Sequence, residues 1–358
     1  MRLDAFTKRV MRKNKSNQSR LPLTISAQYG LVDQITFFNK VVASTDLSNY
    51  YLLKKGEFAY NKSYSSDYPW GAIKRLDNYD QGALSSLYIC FAPQDNVVSD
   101  FILQYFESPK WHKGISEIAV EGARNHGLLN VAVQDFFHTY HYVPKDKKEQ
   151  IKISKLLMLL DERIATQNKI IDKLQTLIKG IRHNIFKDIQ GEVLALGNIA
   201  DVYQPQTISS SDLTTDGYWV YGANGIIGKY KEYNHETEQI CITCRGNTCG
   251  TVNYTQPKVW ITGNSMVINT DKHQQQVNKR YLFHYLSSYN FNSIVSGSGQ
   301  PQIVRTPLER IKIALPSIEK QVQIAHGIDL IFMKIVTEYS MLALLENQKQ
   351  YLLRQMFI

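Results

Sequence analysis

Three cysteines lie close together in the second half of this 358-residue chain, at Cys241, Cys244 and Cys249. Cysteines at such short spacings commonly bind zinc, and His235 or His273 would have to supply a fourth ligand. Two observations oppose a zinc site: the residues around Cys241 have the composition of a β-strand, and the corresponding stretch of the first half contains no such cysteines. We therefore expect no metal site. Four cysteines in all are also too few for a disulfide scaffold.

A glycine-rich segment from Gly222 to Lys229 has the outline of a phosphate-binding loop. In such a loop the first glycine stands five residues before the Gly-Lys pair, and a Ser or Thr follows the lysine. Here the spacing is one residue too long and Tyr230 follows Lys229, so we expect a turn that exposes Asn224. The chain also lacks the Asn-Pro-Pro-aromatic segment with which an adenine methyltransferase holds a flipped base. We therefore expect no catalytic residue.

The charge of the chain favours a polyanionic partner. The formal net charge is +9, and Lys and Arg gain affinity for nucleic acid by displacing counterions from phosphates. Basic and amide side chains also read base edges, chiefly Arg and Lys at guanine and Asn and Gln at adenine. Each could equally be a solvated surface residue or a turn former.

The side chains that we expect to contact DNA fall into three groups. The phosphate contacts expected near the N-terminus are Lys13, Lys15 and Arg20. The base-reading candidates expected in loops of the first half are Lys62, Tyr64, Lys74, Arg75, Arg124, Asn125 and His126. Those expected in loops of the second half are Asn224, Arg245, Asn247, Gln300, Gln302 and Arg305.

A repeated segment must position these side chains, because residues 150–186 return as residues 321–357 at a constant offset of 171. In both copies apolar residues recur at alternating steps of three and four, as in a coiled coil, and one polar residue interrupts each pattern at the same place. We predict two long helices that pair antiparallel within the chain. The interrupting residues, Gln167 and Glu338, are expected to help fix the register.

The regions before the two helices contain short strand-like runs separated by glycine and asparagine. They match faintly: Gly71 to Ile73 lie over Gly250 to Val252, and Ile89 lies over Ile268, all at an offset of 179. The offset then falls to 175, which places Leu128 over Ile303, and at the start of the chain Leu3 and Phe6 lie over Leu196 and Ile199. We predict an α+β fold with a pseudo-two-fold repeat, in four segments: domains at 1–142 and 189–314, and helices at 143–188 and 315–358.

This order of segments resembles the specificity subunit of type I restriction-modification systems. The resemblance covers essentially the whole chain, and its motifs are Pro144 with residues 149–153 and Phe186, then Leu315, Pro316, Glu319, Gln321, Ile324 and Phe357. Residues 221–225 and 56–63 are also typical of the family. The chain begins almost inside the first domain, so we expect that a family extension before it is absent or that the start is slightly truncated.

The resemblance implies a non-catalytic subunit whose two target recognition domains each read one half of a bipartite, asymmetric site in double-stranded DNA. The coiled coil would set the spacing between the halves. Two methyltransferase (M) subunits would dock on the chain, and translocase-nuclease (R) subunits would join them. S-adenosylmethionine, ATP and Mg²⁺ would bind to these partners, with no cofactor in this chain.

Two other classes of function remain open from the sequence. One is an enzyme that methylates or cleaves DNA by itself, against which the missing cofactor motifs argue. The other is an adaptor whose domains bind protein, which would show no steep loss of DNA affinity with salt. No run approaches the roughly 18 apolar residues of a membrane span, so we expect a cytoplasmic protein with no membrane partner.

Overall fold

A computed structural model describes residues 1–40, 42–119, 127–223, 225–297 and 299–357. The chain divides into two compact units. The first consists of residues 1–167 and 341–358, and the second of residues 168–340. Each unit therefore combines one of the predicted domains with part of both repeated segments. No helix among the described residues is both long and apolar enough to cross a lipid bilayer.

The domain of the first unit is built from short strands and helices. Its strands are β1 (Thr7–Arg9), β2 (Pro22–Ser26), β3 (Gly30–Asp33), β4 (Tyr51–Lys54), β5 (Phe58–Asn61), β6 (Ala72–Arg75), β7 (Gln81–Leu84) and β8 (Ile89–Pro93). Its helices are α1 (Gln34–Phe38), α2 (Ser99–Glu107), α3 (His112–Ile118) and α4 (Val133–His138). The strands form two sheets, ordered β1-β8-β5-β6 and β3-β2-β7-β4, and the aromatic core around Tyr60, Phe91 and Phe136 packs on the first of them.

The second unit repeats this plan. The first long helix, α5 (Lys147–Lys187), leads into β9 (Glu192–Ala195), β10 (Asp201–Tyr203), β11 (Tyr218–Gly222), β12 (Gly225–Tyr230), β13 (Ile240–Thr243), β14 (Val252–Tyr254), β15 (Trp260–Ile261) and β16 (Ser265–Asn269). Then follow α6 (Lys279–Ser288), β17 (Val295–Ser296), β18 (Gln302–Ile303), α7 (Arg305–Glu309), β19 (Lys312–Leu315) and α8 (Ile318–Gln355). The larger sheets are ordered β10-β16-β13-β14 and β12-β11-β15, and β19 pairs with β9 and β17 with β18.

The four-stranded sheets β1-β8-β5-β6 and β10-β16-β13-β14 have the same order and the same antiparallel pairings. Tyr60 pairs with Ile73 just as Ile242 pairs with Val252, which agrees with the predicted match of Ile73 with Val252 at an offset of 179. The predicted match of Ile89 with Ile268 is wrong by two residues. With Phe6 over Ile199, Arg9 lies over Val202, and their partners on the next strand are Phe91 and Ile268. Ile89 therefore corresponds to Met266.

The starts of the two domains also correspond as predicted. Leu3 and Leu196 are fully buried at the first position of a 3₁₀ turn, and Phe6 and Ile199 close these turns through backbone hydrogen bonds. Leu3 N–H donates to the carbonyl of Thr139 at 2.9 Å, and Leu196 N–H donates to that of Ile311 at 2.8 Å. In each domain, the first residues are therefore hydrogen-bonded to the last residues before the long helix that follows.

The repeated segments form the predicted helices, α5 of 41 residues and α8 of 38. In the first unit, Leu157 near the start of α5 shares a core with Leu353 near the end of α8, and Lys349 forms an ion pair with Asp161 at 2.5 Å. In the second unit, Gln175 Nε2 donates to the hydroxyl of Tyr339 at 2.7 Å. Early residues of α5 thus meet late residues of α8, which confirms the antiparallel pairing.

The apolar seam of each helix is turned away from solvent. Ile171 and Ile178 on α5 and Ile328 and Leu345 on α8 are buried, and the other seam residues are buried or half-buried. Gln167 and Glu338, at the predicted interruptions, are 8% and 9% exposed, and Glu338 forms an ion pair with Lys334 one helical turn away. Their role in fixing the register stays a prediction.

A buried glutamine fastens each domain to the beginning of a long helix. Gln150 Oε1 accepts from the backbone N–H of Val98, the residue that caps α2, at 2.7 Å, and its Nε2 donates to the carbonyl of Pro144. Gln321 makes the equivalent bonds to Asn278, the cap of α6, and to Pro316. Both side chains are 1% exposed. The sequence motif included these glutamines, but their connection to the domains appears only in the structure.

Candidate nucleic-acid interface

In the second unit, the loop after β13 lies beside the hairpin formed by β17 and β18. Arg245 forms a β-bridge with Gln302, the N–H of Gly246 donates to the carbonyl of Pro301 at 3.0 Å, and the N–H of Ile303 donates to the carbonyl of Cys244 at 3.0 Å. Gly246 has a φ of +84°, which favours glycine. These backbone contacts join two segments that are distant in sequence. One segment carries the predicted residues Arg245 and Asn247, and the other carries Gln300 and Gln302.

Three of these four side chains face solvent. Arg245, Asn247 and Gln300 are exposed and Gln302 is half-buried. A guanidinium and two or three amides on one short surface can donate to and accept from base edges, as major-groove reading requires. The cluster therefore has the chemistry expected of a base-reading surface.

The hairpin of β11 and β12 adjoins the same loop. Gly222 pairs with Gly225 across its turn, and the hydroxyls of Thr243 and Thr248 donate to the carbonyl of Ala223 at 2.8 and 3.0 Å. The segment is thus a strand-turn-strand unit, whereas a phosphate-binding loop leads from a strand into a helix. The expected turn is confirmed, but Asn224 itself lies outside the described residues.

The first unit has a counterpart of the loop after β13. The N–H of Leu129 donates to the carbonyl of Lys62 at 2.9 Å, Ser63 forms a β-bridge with Leu128, and the N–H of Tyr64 donates to the carbonyl of Gly127 at 3.1 Å. These contacts repeat those at Cys244, Arg245 and Gly246 in the second unit.

By this correspondence Leu129 takes the place of Ile303, so the predicted match of Leu128 with Ile303 is wrong by one residue. Tyr64 is exposed and Lys62 is half-buried. Arg124, Asn125 and His126 directly precede Gly127 in sequence and lie outside the described residues. Whether these side chains touch bases stays a prediction.

Lys74 and Arg75 lie on strand β6, so the prediction that they lie in a loop is wrong. Lys74 is paired with Glu107 at 2.6 Å. Arg75 is paired with Asp77 and Asp100, both at 2.7 Å, and its side chain is only 12% exposed. A DNA contact by either residue would therefore have to displace a carboxylate of the same domain. Arg305, by contrast, is well exposed at the start of α7, although its Nε donates to Glu309 at 2.7 Å.

The predicted phosphate-binding residues Lys13, Lys15 and Arg20 are all exposed. The ammonium of Lys13 donates to the carbonyl of Asn49 at 2.7 Å and lies 4.5 Å from the ring centre of Tyr51. Within the part of the chain that the structure describes, none of the three forms an ion pair with a carboxylate. Their positive charge is therefore not neutralised locally.

The three clustered cysteines pack in the protein interior or at its margin. Cys241 belongs to the core between the two sheets of the second unit, whereas Cys244 belongs to the larger core on the other face of β13. Burial raises the pKa of Cys241 to about 12 and also raises that of Cys244, which disfavours the thiolate that zinc requires. Among the described residues, no three side chains of His, Cys, Asp or Glu are grouped so that they could hold a metal ion.

The chain is similar to proteins of known type. Residues 190–346 match the family model of the type I restriction modification DNA specificity domain. The chain is 30% identical over 147 residues to the type I restriction enzyme EcoprrI specificity subunit of Escherichia coli, a match that covers 40% of this chain and 36% of that protein. It is 28% identical over 112 residues to a putative type I restriction enzyme specificity subunit of Haemophilus influenzae, covering 30% of this chain and 28% of the relative.

Two solved structures resemble the whole chain. One is the S subunit of a type I restriction-modification system from M. genitalium, with a TM-score of 0.64 at 16% identity, covering 100% of this chain and 95% of that one. The other comes from a study of complex assembly and conformational transition of the type I R-M system, with a TM-score of 0.58 at 14% identity, covering 99% and 96%. These likenesses establish the fold. Residues 190–346 thus match the type I restriction modification DNA specificity domain, as the resemblance inferred from the sequence predicts, and the chain shares the fold of a solved type I S subunit.

Proposed function

We propose that this protein is the DNA sequence-specificity subunit of a type I restriction-modification complex. Residues 1–142 and 189–314 act as target recognition domains, and each reads one half of a bipartite, asymmetric DNA site. The observation that carries this proposal is the pair of equivalent loops, at 62–64 with 127–129 and at 244–246 with 301–303, built on sheets of equal topology. The backbone frame is the same in both, while the side chains differ, as at Ser63 and Arg245.

The long helices set the distance between the half-sites and provide docking surfaces. Outside their seams, large apolar residues are exposed on both helices, among them Leu159 and Leu177 on α5 and Leu330 and Leu344 on α8. Exposed apolar side chains in such numbers favour a protein partner. In this proposal two methyltransferase subunits bind here, and translocase-nuclease subunits join the complex.

The chain itself performs no chemistry in this scheme. S-adenosylmethionine, ATP and Mg²⁺ bind to the partner subunits, and the complex acts on chromosomal and incoming DNA in the cytoplasm. The exposed cations Lys13, Lys15 and Arg20 contribute phosphate contacts that position the first domain without reading sequence.

A domain exchange tests the proposal. Cells that express the chain with its methyltransferase partner are expected to methylate adenine in one bipartite sequence, as read by methylome sequencing. Replacing residues 1–142 with another first domain should change one half of that sequence and leave the other half and the gap intact. A change in both halves would contradict independent reading, and methylation by the purified chain alone would contradict its non-catalytic role.

The spacing role has its own experiment. Matched insertions of one heptad in α5 and α8 preserve the seam, because the apolar pattern repeats every seven residues. They should alter the gap between the half-sites and keep the bases recognised in each half. An unchanged gap would rule out the helices as the ruler.

A further inference from the structure

The hairpin of β2 and β3 in the first unit is the counterpart of the hairpin of β11 and β12 in the second. In each pair the strands are antiparallel, and the first strand also pairs in parallel with a later one, β7 or β15. Each turn closes on a glycine with a φ of +81°, Gly30 in one case and Gly225 in the other. The turn between Ser26 and Gly30 is therefore the topological counterpart of the turn between Gly222 and Gly225. Its hairpin extends two residues further beyond the last residue of the first strand that pairs in parallel, Leu23 in one unit and Tyr221 in the other.

The turn of the first unit is longer and ends in exposed side chains. Three residues, Ala27 to Tyr29, separate the last paired residues, whereas two do so in the second unit. The N–H of Tyr29 donates to the hydroxyl of Ser26 at 3.1 Å, which holds the turn, while the Tyr29 side chain is 68% exposed and Gln28 is also exposed. This tip thus presents an amide and a phenol ring to solvent.

Two further rings support Tyr29. Phe37 on α1 lies edge-on to it with ring centres 6.4 Å apart, and Phe38 lies 5.0 Å from Phe37. Both phenylalanines are 44% exposed. Because water solvates such a group of rings poorly, its exposure at a loop tip favours contact with a partner.

We propose that Gln28 and Tyr29 determine specificity in the first half-site, at the tip of the hairpin that corresponds to β11 and β12 of the second domain. This inference rests on the proposed function. The amide of Gln28 can bond to N6 and N7 of adenine, and the ring of Tyr29, backed by Phe37, can contact the methyl group of thymine. The tip therefore reads an A·T pair in the major groove.

The test uses the full complex and methylome sequencing of three variants, Gln28→Ala, Tyr29→Ala and Tyr29→Phe. Gln28→Ala should reduce the preference for one base pair of one half-site by about tenfold or more, with the other half-site and the gap unchanged. Tyr29→Ala should relax the thymine preference, and Tyr29→Phe should retain it because the ring remains. Tyr140→Ala, at a tyrosine of the same unit that is 75% exposed, serves as the matched control and should change nothing.

Two outcomes would overturn the inference. One is unchanged specificity in Gln28→Ala and Tyr29→Ala while the domain exchange still alters a half-site, which would leave the proposed function standing. The other is an equal loss of methylation at all sequences, which would mark a contact without base reading. Absence of bipartite methylation by the parent complex would instead refute the proposed function itself.

Discussion

Replacing Gln321 by leucine should loosen the attachment of the second domain to α8. The amide accepts from the N–H of Asn278 at 2.9 Å and donates to the carbonyls of Pro316 at 2.9 Å and Gln276 at 3.1 Å. Leucine fills a similar volume but makes none of these bonds. A net hydrogen bond contributes about 1 kcal/mol, and a buried group left unpaired costs about 1–3 kcal/mol.

The free-energy cost of Gln321→Leu depends on which of the three lost hydrogen bonds water can replace. Gln276 is exposed, so its carbonyl can be rehydrated, whereas Asn278 and Pro316 are half-buried. Losing the two less accessible bonds should cost about 2 kcal/mol in the free energy of local opening. That corresponds to an increase of about 30-fold in the rate of amide exchange at the start of α6.

Hydrogen exchange read by mass spectrometry or NMR measures this directly. Gln323→Leu, an exposed glutamine two positions along the same helix, provides the matched control and should leave the exchange of α6 unchanged. If Gln321→Leu and Gln323→Leu exchanged at the start of α6 within about threefold of one another, the buried amide would not be the link between domain and helix.

Three further perturbations concern the first unit. Burial, and next the charge of the N-terminus, lower the pKa of His141 from 6.5 to about 4. Between these pH values only the unfolded state binds the proton, so the stability of the folded state falls as the pH drops through that window. Denaturation at pH 7 and pH 5 should therefore show a smaller loss of stability in His141→Gln than in the parent protein. In thermal unfolding, Gly71→Ala should destabilise this unit by about 2 kcal/mol or more, because φ is +77° and the new Cβ would lie 2.1 Å from a backbone carbonyl oxygen. Gly56→Ala is the control: its φ is +85° but its Cβ would meet open space, so it should cost about 1 kcal/mol in the same measurement. A double-mutant cycle of Lys349→Met and Asp161→Asn should give a coupling energy of about 1 kcal/mol, and a value near zero would show that this ion pair adds no stability.

The long helices could be predicted from the sequence because their signal is local and repeated. Spacings of three and four recur from Ile153 to Ile185, and the offset of 171 supplies a second, independent copy. The antiparallel pairing followed from the domain between them. Which buried amide joins each helix to its domain did not follow, because Gln150 and Val98 are 52 residues apart and their bond depends on tertiary packing.

The strand register was only partly predictable, and the error has a physical reason. Side chains alternate between the faces of a strand, so a shift of two residues returns each apolar side chain to the same face. The match of Ile89 with Ile268 preserves the hydrophobic pattern as well as the true match with Met266 does. Hydrophobicity therefore could not distinguish them, and the hydrogen-bonded ladder was needed.

The misplaced basic residues show a different limit. Lys74 and Arg75 are polar neighbours close to a glycine, a pattern typical of a loop. They lie on a strand because acidic residues from α2, Asp100 and Glu107, neutralise them there. Such pairing across about 25–33 residues of sequence leaves no local signal, since the compensating charges belong to another element.

Comparing the two units separates the frame of each domain from its variable tips. Frame positions repeat the residue type: glutamine at 150 and 321, leucine at 3 and 196, and a positive-φ glycine at 30 and 225. Tip positions on the same backbone do not, since Ser63 stands where the second unit has Arg245. A hydroxyl and a guanidinium favour different base edges. Two domains built in this way would read unlike half-sites, so the asymmetry of the target would arise from the loop tips. The shared frame would hold the loop tips at equivalent positions in each domain.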